Sequence, residues 1–260
     1  MLGVQDVIGA LRRWPLVQLL GYQDIRQRYQ RSFLGPFWLT ISMGIMIACI
    51  GIVFGSLFKS DMSEFLPFLA AGLILWAYIL SSVTEGSMTF VSETRTIQQI
   101  PLPLTVYVLK MVWRNMIILG HNLLIIPIVM IIFGLPLTAA HLLFIPGLIL
   151  LTLNLIWITF LMSVICARFR DLPQIVASLM QVTFYISPIL WSPALLQESS
   201  RAVIVDFNPM YYLLDITRAP ILGQQPQMIS WTVCIAMLVF GYLIALPFFG
   251  RFQKRIPYWL

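Results

Sequence analysis

The sequence offers few side chains whose types and spacing would support catalysis or metal binding. Its two histidines, His121 and His141, are far apart and have no acidic or cysteine partner close to them in the sequence. There is no GxxxxGKS or GxxxxGKT phosphate-binding loop, no HExxH motif and no CxxC pair. We therefore expect both histidines to be structural, no metal site, and no nucleotide hydrolysis by this chain alone.

Glu85 is the one carboxylate inside the apolar part of a stretch that could cross a membrane. Charged groups are costly in hydrocarbon, so such a residue is a functional candidate by default. However, Glu85 comes 20 residues after Phe65, which places it near the headgroups if the helix runs inward. This position favours a structural glutamate, facing the headgroups or a pore, over a proton carrier.

The composition indicates a polytopic membrane protein. Of the 260 residues, 60% are hydrophobic and only 10% are charged, whereas soluble domains carry roughly 25% charged residues. A net charge of +6 could also suggest a nucleic-acid partner. The basic residues nevertheless lie between apolar runs, where positive charge orients membrane spans, so we expect no nucleic-acid partner.

Six stretches are long and apolar enough to cross a hydrocarbon core, which needs about 20 helical residues. The predicted spans are 36–58, 65–91, 105–133, 142–166, 172–196 and 229–250. The third and fourth share a long uncharged run, and turn residues at 134–141 predict the break between them. The prediction is an all-α membrane protein with a single transmembrane domain over residues 1–260.

The distribution of lysine and arginine predicts the orientation. With both termini in the cytoplasm, the inner segments hold 13 of the 16 basic residues. These segments are 1–36, 92–114, 167–174 and 250–260. The outer loops hold only Lys59, Arg201 and Arg218. This bias toward one side predicts a multi-pass protein with both termini cytoplasmic.

The residues before the first span are predicted to form an amphipathic interface helix ending near residue 35. Apolar residues recur at spacings of three and four and can form one stripe of a helix. They are Leu19, Tyr22, Ile25, Tyr29 and Phe33. Asp24, Arg28 and Arg31 fall opposite, and Gly35-Pro36 ends the helix. We expect this helix to lie in the headgroup plane of an anionic leaflet; the alternative is a basic flank that only orients the first span.

Two further segments have patterns that predict special elements. Residues 92–104 combine Glu93 and Arg95 with two prolines, which suits either a short surface helix that docks on a soluble partner or a simple connection. Residues 197–228 contain three prolines and two apolar pieces that are too short to span. Such pieces predict re-entrant or interfacial helices, with a plain extracellular loop as the alternative. On one of them, Asp215 and Arg218 are spaced to form a pair.

Aromatic residues are frequent in the second and fifth predicted spans. They include Trp76, Tyr78, Phe184, Tyr185 and Trp191. Trp and Tyr commonly form belts at the membrane interface, or they pack in cores. The same rings can stack on the apolar faces of sugars, and only a position on a pore would favour that second interpretation.

Several motifs, in this order, resemble the permease subunits of bacterial polysaccharide exporters of the ABC-2 class. They are the run Asp24–Trp38, the loop Ala167–Gln174, the segment Phe184–Trp191, the segment Phe207–Tyr212 with Arg218, and the C-terminal residues Arg255–Leu260. Their order and spacing together are fairly specific, and they extend over nearly the whole chain. The resemblance is first to O-antigen (lipopolysaccharide) exporters and next to capsule and teichoic-acid exporters.

This resemblance implies a homodimer in the bacterial inner membrane, each copy binding a separate nucleotide-binding ATPase subunit. It implies a channel that exports polyprenyl-diphosphate-linked polysaccharide from cytoplasm to periplasm, in contact with membrane lipid. ATP and Mg would bind to the ATPase subunit, so this chain would carry no catalytic residue and no cofactor.

The resemblance also implies roles for particular residues. The ATPase interface would include Arg26, Arg28, Arg31, Glu93 and Arg95. The substrate entrance would include Arg170 and Asp171. The glycan-guiding aromatics would be Trp76, Tyr78, Phe184, Tyr185 and Trp191. The gate region would include Asn208, Pro209, Tyr211, Asp215 and Arg218.

Other functions remain as alternatives. Within transport, the chain could export drugs or simple lipids as another ABC-2 permease. An intramembrane enzyme acting on polyprenyl-linked sugars would normally need clustered Asp, Glu or His, whereas the ten acidic residues here are scattered. A purely structural anchor would need fewer spans than this sequence predicts.

Overall fold

The computed structural model describes residues 2–30, 35, 37–59, 61–193 and 202–260, and every regular element among them is a helix. This confirms the predicted all-α class. The first elements are α1 (Leu2–Leu11), α2 (Trp14–Tyr29), α3 (Phe37–Phe58), α4 (Met62–Ser92), α5 (Thr94–Gln99), α6 (Thr105–Leu123) and α7 (Ile125–Phe133). They are followed by a 3₁₀ helix (Ala139–Leu143), α8 (Phe144–Arg168), α9 (Leu172–Ile186), a π-helix (Ala202–Asp206), α10 (Pro209–Ile221), α11 (Met228–Phe252) and α12 (Ile256–Trp259).

In the described part of the chain, five helical segments are long and apolar enough to cross a membrane, as expected for a multi-pass membrane protein. They are Phe37–Phe58, Met62–Ser92, Thr105–Phe133, Ala139–Arg168 and Met228–Phe252. The third segment ends at Gly134, whose φ of 63° is in the left-handed region that glycine adopts without strain. The fourth begins five residues later, so the break lies within the turn-rich stretch 134–141.

The segment predicted as a span at 172–196 is shorter in the structure. Helix α9 has 15 residues and ends at Ile186. A helix of that length is about 22 Å long, less than the hydrocarbon core of about 30 Å. Ser187 is extended, with ψ of 143°, because the following Pro188 disfavours a helical conformation in the residue before it. The last residues of the predicted span, 194–196, lie outside the described residues.

Helix α4 is the centre of the bundle. In its most apolar window 72% of the residues are buried, against 22% for α3 and for α11. It packs against α3, α6, α8, α9 and α10. The helix begins at Asp61, whose carboxylate accepts hydrogen bonds from the Ser63 amide (2.9 Å) and hydroxyl (2.8 Å). Both bonds lower the pKa of the Asp61 carboxyl below its usual value, and the bond from the backbone amide has the larger effect.

The bundle has two chemically different ends. The end that contains Arg114, Arg168 and Arg251, together with α1 and α2, is called the basic end below. The end that contains Asp61 and Asp215 is called the opposite end. Helix α1 packs on α11 at the basic end, where the Gly3 Cα faces the Leu246 carbonyl so closely that a β-carbon would not fit.

Close helix packing at the opposite end depends on Gly147 of α8. A β-carbon on this residue would overlap the backbone carbonyl oxygen of Ile216 in α10, which cannot move as a flexible side chain could. We therefore expect Gly147→Ala to lower the free energy of unfolding by about 2 kcal/mol, as overpacking does. Thermal unfolding of the purified chain in detergent measures this.

The matched control is Gly44→Ala in α3, because no atom lies within 4 Å of the position a β-carbon would take there. Alanine is the better helix former by up to about 1 kcal/mol, so this control should be neutral or stabilising. Equal melting temperatures for the two variants would contradict the packing interpretation.

Candidate functional site

An ion-pair network joins the N-terminal helices to the spans at the basic end. Lys110 and Arg114 are one turn apart on α6 and share a face of that helix. Lys110 Nζ lies 3.2 Å from Asp24 Oδ2 of α2 and also binds Glu93 Oε1 after α4. Arg114 donates to Asp24 Oδ2 at 3.1 Å and to Glu85 Oε2 of α4 at 2.7 Å. Five charged side chains from three helices and one junction therefore form a single cluster.

The network is largely shielded from water. The side chains of Lys110 and Arg114 are 10% and 15% exposed, and those of the three carboxylates are 22–30% exposed. Charges at such positions are stable only when each cation has its carboxylates and each carboxylate its donors. Three carboxylates and two cations share these bonds, so each member depends on the others.

A cavity of about 370 Å³ opens beside the network. Its walls include Glu85, Glu93, Lys110 and Arg114, together with the ring of Tyr107. The cavity therefore lies directly against the charged side chains that α4 and α6 contribute to the network. The network therefore connects α2 to α4 and α6 beside this cavity.

A second polar contact holds α1 in place. Asp6 Oδ2 accepts hydrogen bonds from the backbone amide of Thr105 at 2.8 Å and from its hydroxyl at 2.7 Å. Its other oxygen accepts from the Leu104 amide at 3.2 Å. The carboxylate thus satisfies free amides at the start of α6, which is a favourable position for an anion.

The residues assigned to an ATPase interface lie in different environments. Arg26 on α2 and Arg95 on α5 are exposed. Glu93 faces inward and pairs with Lys110. Arg31 lies outside the described residues, and the side chain of Arg28 does as well. On the predicted apolar stripe of α2, Leu19 and Tyr22 are exposed and Ile25 is buried.

Arg170 and Asp171, assigned to a substrate entrance, lie in the turn between α8 and α9 and are both exposed. Arg170 donates hydrogen bonds to the backbone carbonyls of Trp259 (3.3 Å) and Leu260 (3.0 Å). It therefore ties the C-terminal helix α12 to the end of α8.

The five aromatic residues do not form one surface within a single chain. Trp76 and Tyr78 are buried in the core, at 3% and 2% exposure. Phe184 packs on Trp76, with ring centroids 5.8 Å apart. Tyr185 is 63% exposed, and its carbonyl accepts a hydrogen bond from the indole of Trp191 at 3.2 Å. Tyr185, with Trp191 beside it, is the part of the set that an external ligand could reach.

In its described part, residues 202–228, the segment assigned to a gate contains two short helices, the π-helix Ala202–Asp206 and α10, whereas residues 197–201 lie outside the described residues. Asn208 caps α10 by accepting from the Met210 amide at 3.0 Å, and Pro209 occupies the first turn. The Asn208 amide also donates to the Ser187 hydroxyl at 2.9 Å, which connects α10 to the turn after α9. Tyr211 is buried.

Asp215 and Arg218 both contact other parts of the opposite end. Asp215 accepts hydrogen bonds from the Ser230 hydroxyl (2.6 Å) and the Gln227 amide (3.2 Å), at the start of α11. Arg218 is 5% exposed, donates to the Pro188 carbonyl, and has its guanidinium 4.1 Å from the centre of the Phe68 ring. This arginine is the centre of the contact between α4, α10 and the turn after α9.

Four polar residues of these sites were not assigned a site role from the sequence. They are Asp6, Asp24, Lys110 and Arg114. The available signal was that Lys110 and Arg114 are one turn apart within a predicted span, where two unpaired cations would be costly. Their partners are up to 90 residues away in sequence, and local patterns do not identify such partners.

Comparisons with known proteins agree with this architecture. A family model described as "ABC-2 type transporter" matches residues 15–222. The chain is 25% identical over 197 residues to the O-antigen export system permease protein RfbA of Myxococcus xanthus, covering 74% of each chain. Two proteins with the same name from Klebsiella pneumoniae are 24% and 25% identical, covering 76% of each chain.

Proposed function

Because the chain belongs to the ABC-2 type transporter family, we propose that it is the channel-forming permease subunit of an ATP-driven polysaccharide exporter. The proposed cargo is a polyprenyl-diphosphate-linked polysaccharide of the O-antigen type, moved from cytoplasm to periplasm. The observation that carries this proposal is the similarity to three O-antigen export permeases over about three quarters of the chain.

The basic end faces the cytoplasm of a bacterial inner membrane in this proposal, and both termini lie on that side. The support is that 13 of the 16 Lys and Arg residues fall in the segments assigned to it. Helix α9 belongs to the sixth crossing of this proposal. The π-helix and α10 then lie at the periplasmic mouth, with Arg218 fixing them to α4.

Energy comes from a separate ATPase subunit that binds ATP and Mg, since this sequence has no phosphate-binding loop. The exposed Arg26 and Arg95 provide its docking surface, together with Arg28 and Arg31. A displacement of α2 by that partner pulls on Asp24 and therefore on Lys110 and Arg114. The ion-pair network thus transmits the movement from α2 to α4 and α6.

The conduit forms between two copies of the chain, because the exposed apolar residues of α3 and α9 need either lipid or a second copy to cover them. They include Ile45, Ile52 and Leu57 on α3 and Leu179 and Tyr185 on α9. Arg170 and Asp171 lie at the cytoplasmic entrance of the conduit, and Tyr185 and Trp191 contact the sugars.

The direct test is transport in liposomes that contain the permease, its ATPase subunit and a fluorescent polyprenyl-diphosphate-linked glycan. We expect glycan to become accessible to an enzyme in the lumen only when ATP and both proteins are present. Transport by the permease alone, or transport of a drug-like lipid with the glycan excluded, would contradict the proposal.

The exposed aromatic pair makes a specific prediction. Tyr185→Ala with Trp191→Ala should slow glycan transport about 30-fold, because each of the two aromatic contacts contributes about 1 kcal/mol beyond its buried area. Transport rate is compared at equal amounts of folded protein. Phe240→Ala is the matched control, since Phe240 is 65% exposed on α11. If Phe240→Ala slowed transport by the same factor, the loss would come from contact with lipid and not from contact with the sugars.

A further inference from the structure

A cavity of about 350 Å³ lies at the basic end between α8, α11 and α12. Its lining is apolar on the inner side and positively charged near the ends of the helices. Ile165 and Phe248 lie about one turn inside the ends of α8 and α11. Arg168 and Arg255 line the same cavity at its outer end and are exposed. The cavity therefore joins an apolar inner wall to a cationic rim.

The cationic rim is held in place by neighbouring aromatic rings. The Arg168 guanidinium lies 5.7 Å from the centre of the Trp259 ring, which also lines the cavity. Phe252 packs on Trp259 with centroids 5.6 Å apart. Arg170 binds the carbonyl of Trp259 and so fixes the helix that carries this ring. A guanidinium positioned in this way loses little freedom when it binds an anion.

In the described part of the chain, no carboxylate pairs with the two arginines that line this cavity. Residues 164–175 and 248–260 carry five basic side chains and only one acidic side chain, Asp171. Among the described residues, neither Arg168 nor Arg255 forms an ion pair with a carboxylate. Two free guanidinium groups above an apolar wall match an anion that carries a hydrocarbon chain.

We propose that this cavity binds one anionic phospholipid of the inner leaflet, with its phosphate between Arg168 and Arg255 and an acyl chain against Ile165 and Phe248. A lipid fits better than a soluble protein because the apolar wall belongs to spans that the bilayer surrounds. The site would fix the end of α8, where Arg170 and the C-terminal helix meet. This inference depends on the chain being a membrane protein and on the proposed cytoplasmic position of its basic end, and not on its cargo.

Native mass spectrometry of the full chain, released from detergent with added lipid, tests the proposal. The probes are phosphatidylglycerol and phosphatidylcholine of equal chain length. We expect one phosphatidylglycerol to be retained in preference to phosphatidylcholine. The double variant Arg168→Gln with Arg255→Gln should weaken that retention about 30-fold, because each basic residue contributes to binding an anionic headgroup.

Two control variants separate the site from general charge and folding effects. Arg168→Lys with Arg255→Lys keeps both charges and should retain the lipid within a few-fold of the unchanged chain. Arg12→Gln with Arg13→Gln removes the same charge from two exposed arginines between α1 and α2, and it should leave retention unaltered. Equal retention by the glutamine variant at 168 and 255 would overturn the proposal.

Competing ligands identify the chemistry that the cavity recognises. Glycerol 1-phosphate has the charge without the chain and should not displace phosphatidylglycerol at comparable concentrations. Full displacement by glycerol 1-phosphate would mean a phosphate site, and tighter binding of a polyprenyl diphosphate would mean a cargo site. Loss of a bound second copy or ATPase subunit in the glutamine variant, with lipid retained, would mean a protein interface. Each of these results would reject the lipid assignment.

Discussion

Replacing Arg114 by leucine is expected to lower the free energy of unfolding by about 3 kcal/mol. The arginine is 15% exposed and binds both Asp24 and Glu85. Its removal leaves Glu85 without the donor at 2.7 Å and leaves Asp24 with Lys110 alone. Most of the cost comes from a carboxylate that remains shielded from water after its cation is lost. Thermal or denaturant unfolding of the purified chain in detergent measures the change.

Two further variants show whether the pairing itself is responsible. Arg95→Leu removes the same charge from an exposed site on α5 and should change stability by no more than about 0.5 kcal/mol. Adding Glu85→Leu to Arg114→Leu removes the carboxylate that Arg114 bound and should recover at least half of the loss. If Arg114→Leu and Arg95→Leu unfold alike, the network does not stabilise the fold.

The second large effect concerns the ATPase partner. Asp24 and Glu93 both contact Lys110 Nζ, so the network brings the C-terminal part of α2 next to the start of α5. Arg26 and Arg95 each follow two residues after one of these carboxylates, and both are exposed. Both arginines therefore lie at the basic end of the bundle, close in the chain to the network. A partner that binds there must present negative charge.

Reversing both charges, Arg26→Glu with Arg95→Glu, should raise the Kd for the ATPase subunit about 100-fold, since like charges brought together at an interface are costly. ATP-driven glycan transport should then fall below detection, while the permease remains folded. Binding is measured with immobilised permease and purified ATPase at fixed ionic strength. The effect should shrink as salt is raised, because exposed charges are screened.

The matched control is Arg251→Glu with Lys254→Glu, which reverses two exposed charges at the end of α11. It should leave the Kd within about threefold of the unchanged chain. If the unchanged chain and both double variants bound the ATPase subunit equally, its docking site would lie elsewhere. The assignment to the ABC-2 family would not be affected. Loss of binding in the control alone would place the docking surface at α11.

The membrane elements could be predicted well because they depend on local properties. Hydrocarbon thickness requires long uncharged helices, and the sequence places five of them where the structure has helices long enough to span. The early end of α9 also had a local signal, since Ser187 precedes Pro188. The uncharged run itself continues to Leu196 and gave no reason to stop sooner.

The ion-pair network could not be predicted because its members are distant in the sequence. Lys110 and Arg114 were counted as orienting basic residues. Their position in the predicted span 105–133 indicates that they need partners, but no local pattern identifies which carboxylates these are. Asp24 was placed opposite the apolar stripe of α2, where it suits solvent as well as a partner helix. Its partners on α6 are 86 and 90 residues away, and they depend on how the helices pack.

The sequence also does not predict which aromatic side chains of a span are buried and which are exposed. Helix α4 is apolar on nearly all sides, so its sequence does not say which rings face outward. Trp76 and Tyr78 proved to be buried, whereas Tyr185 on α9 is exposed because α9 packs on the bundle along one side only.

The hydrogen bonds between Asp6 and Thr105 also constrain the order of biogenesis. The two residues are 99 positions apart. Asp6 on α1 therefore has no α6 amides to bind until the ribosome has made the first two spans and begun the third. During that interval α1 lacks the hydrogen bonds that join it to the start of α6 in the folded chain. A nascent chain stalled before residue 104 would therefore lack the amides of Leu104 and Thr105 that bind Asp6 in its first helix.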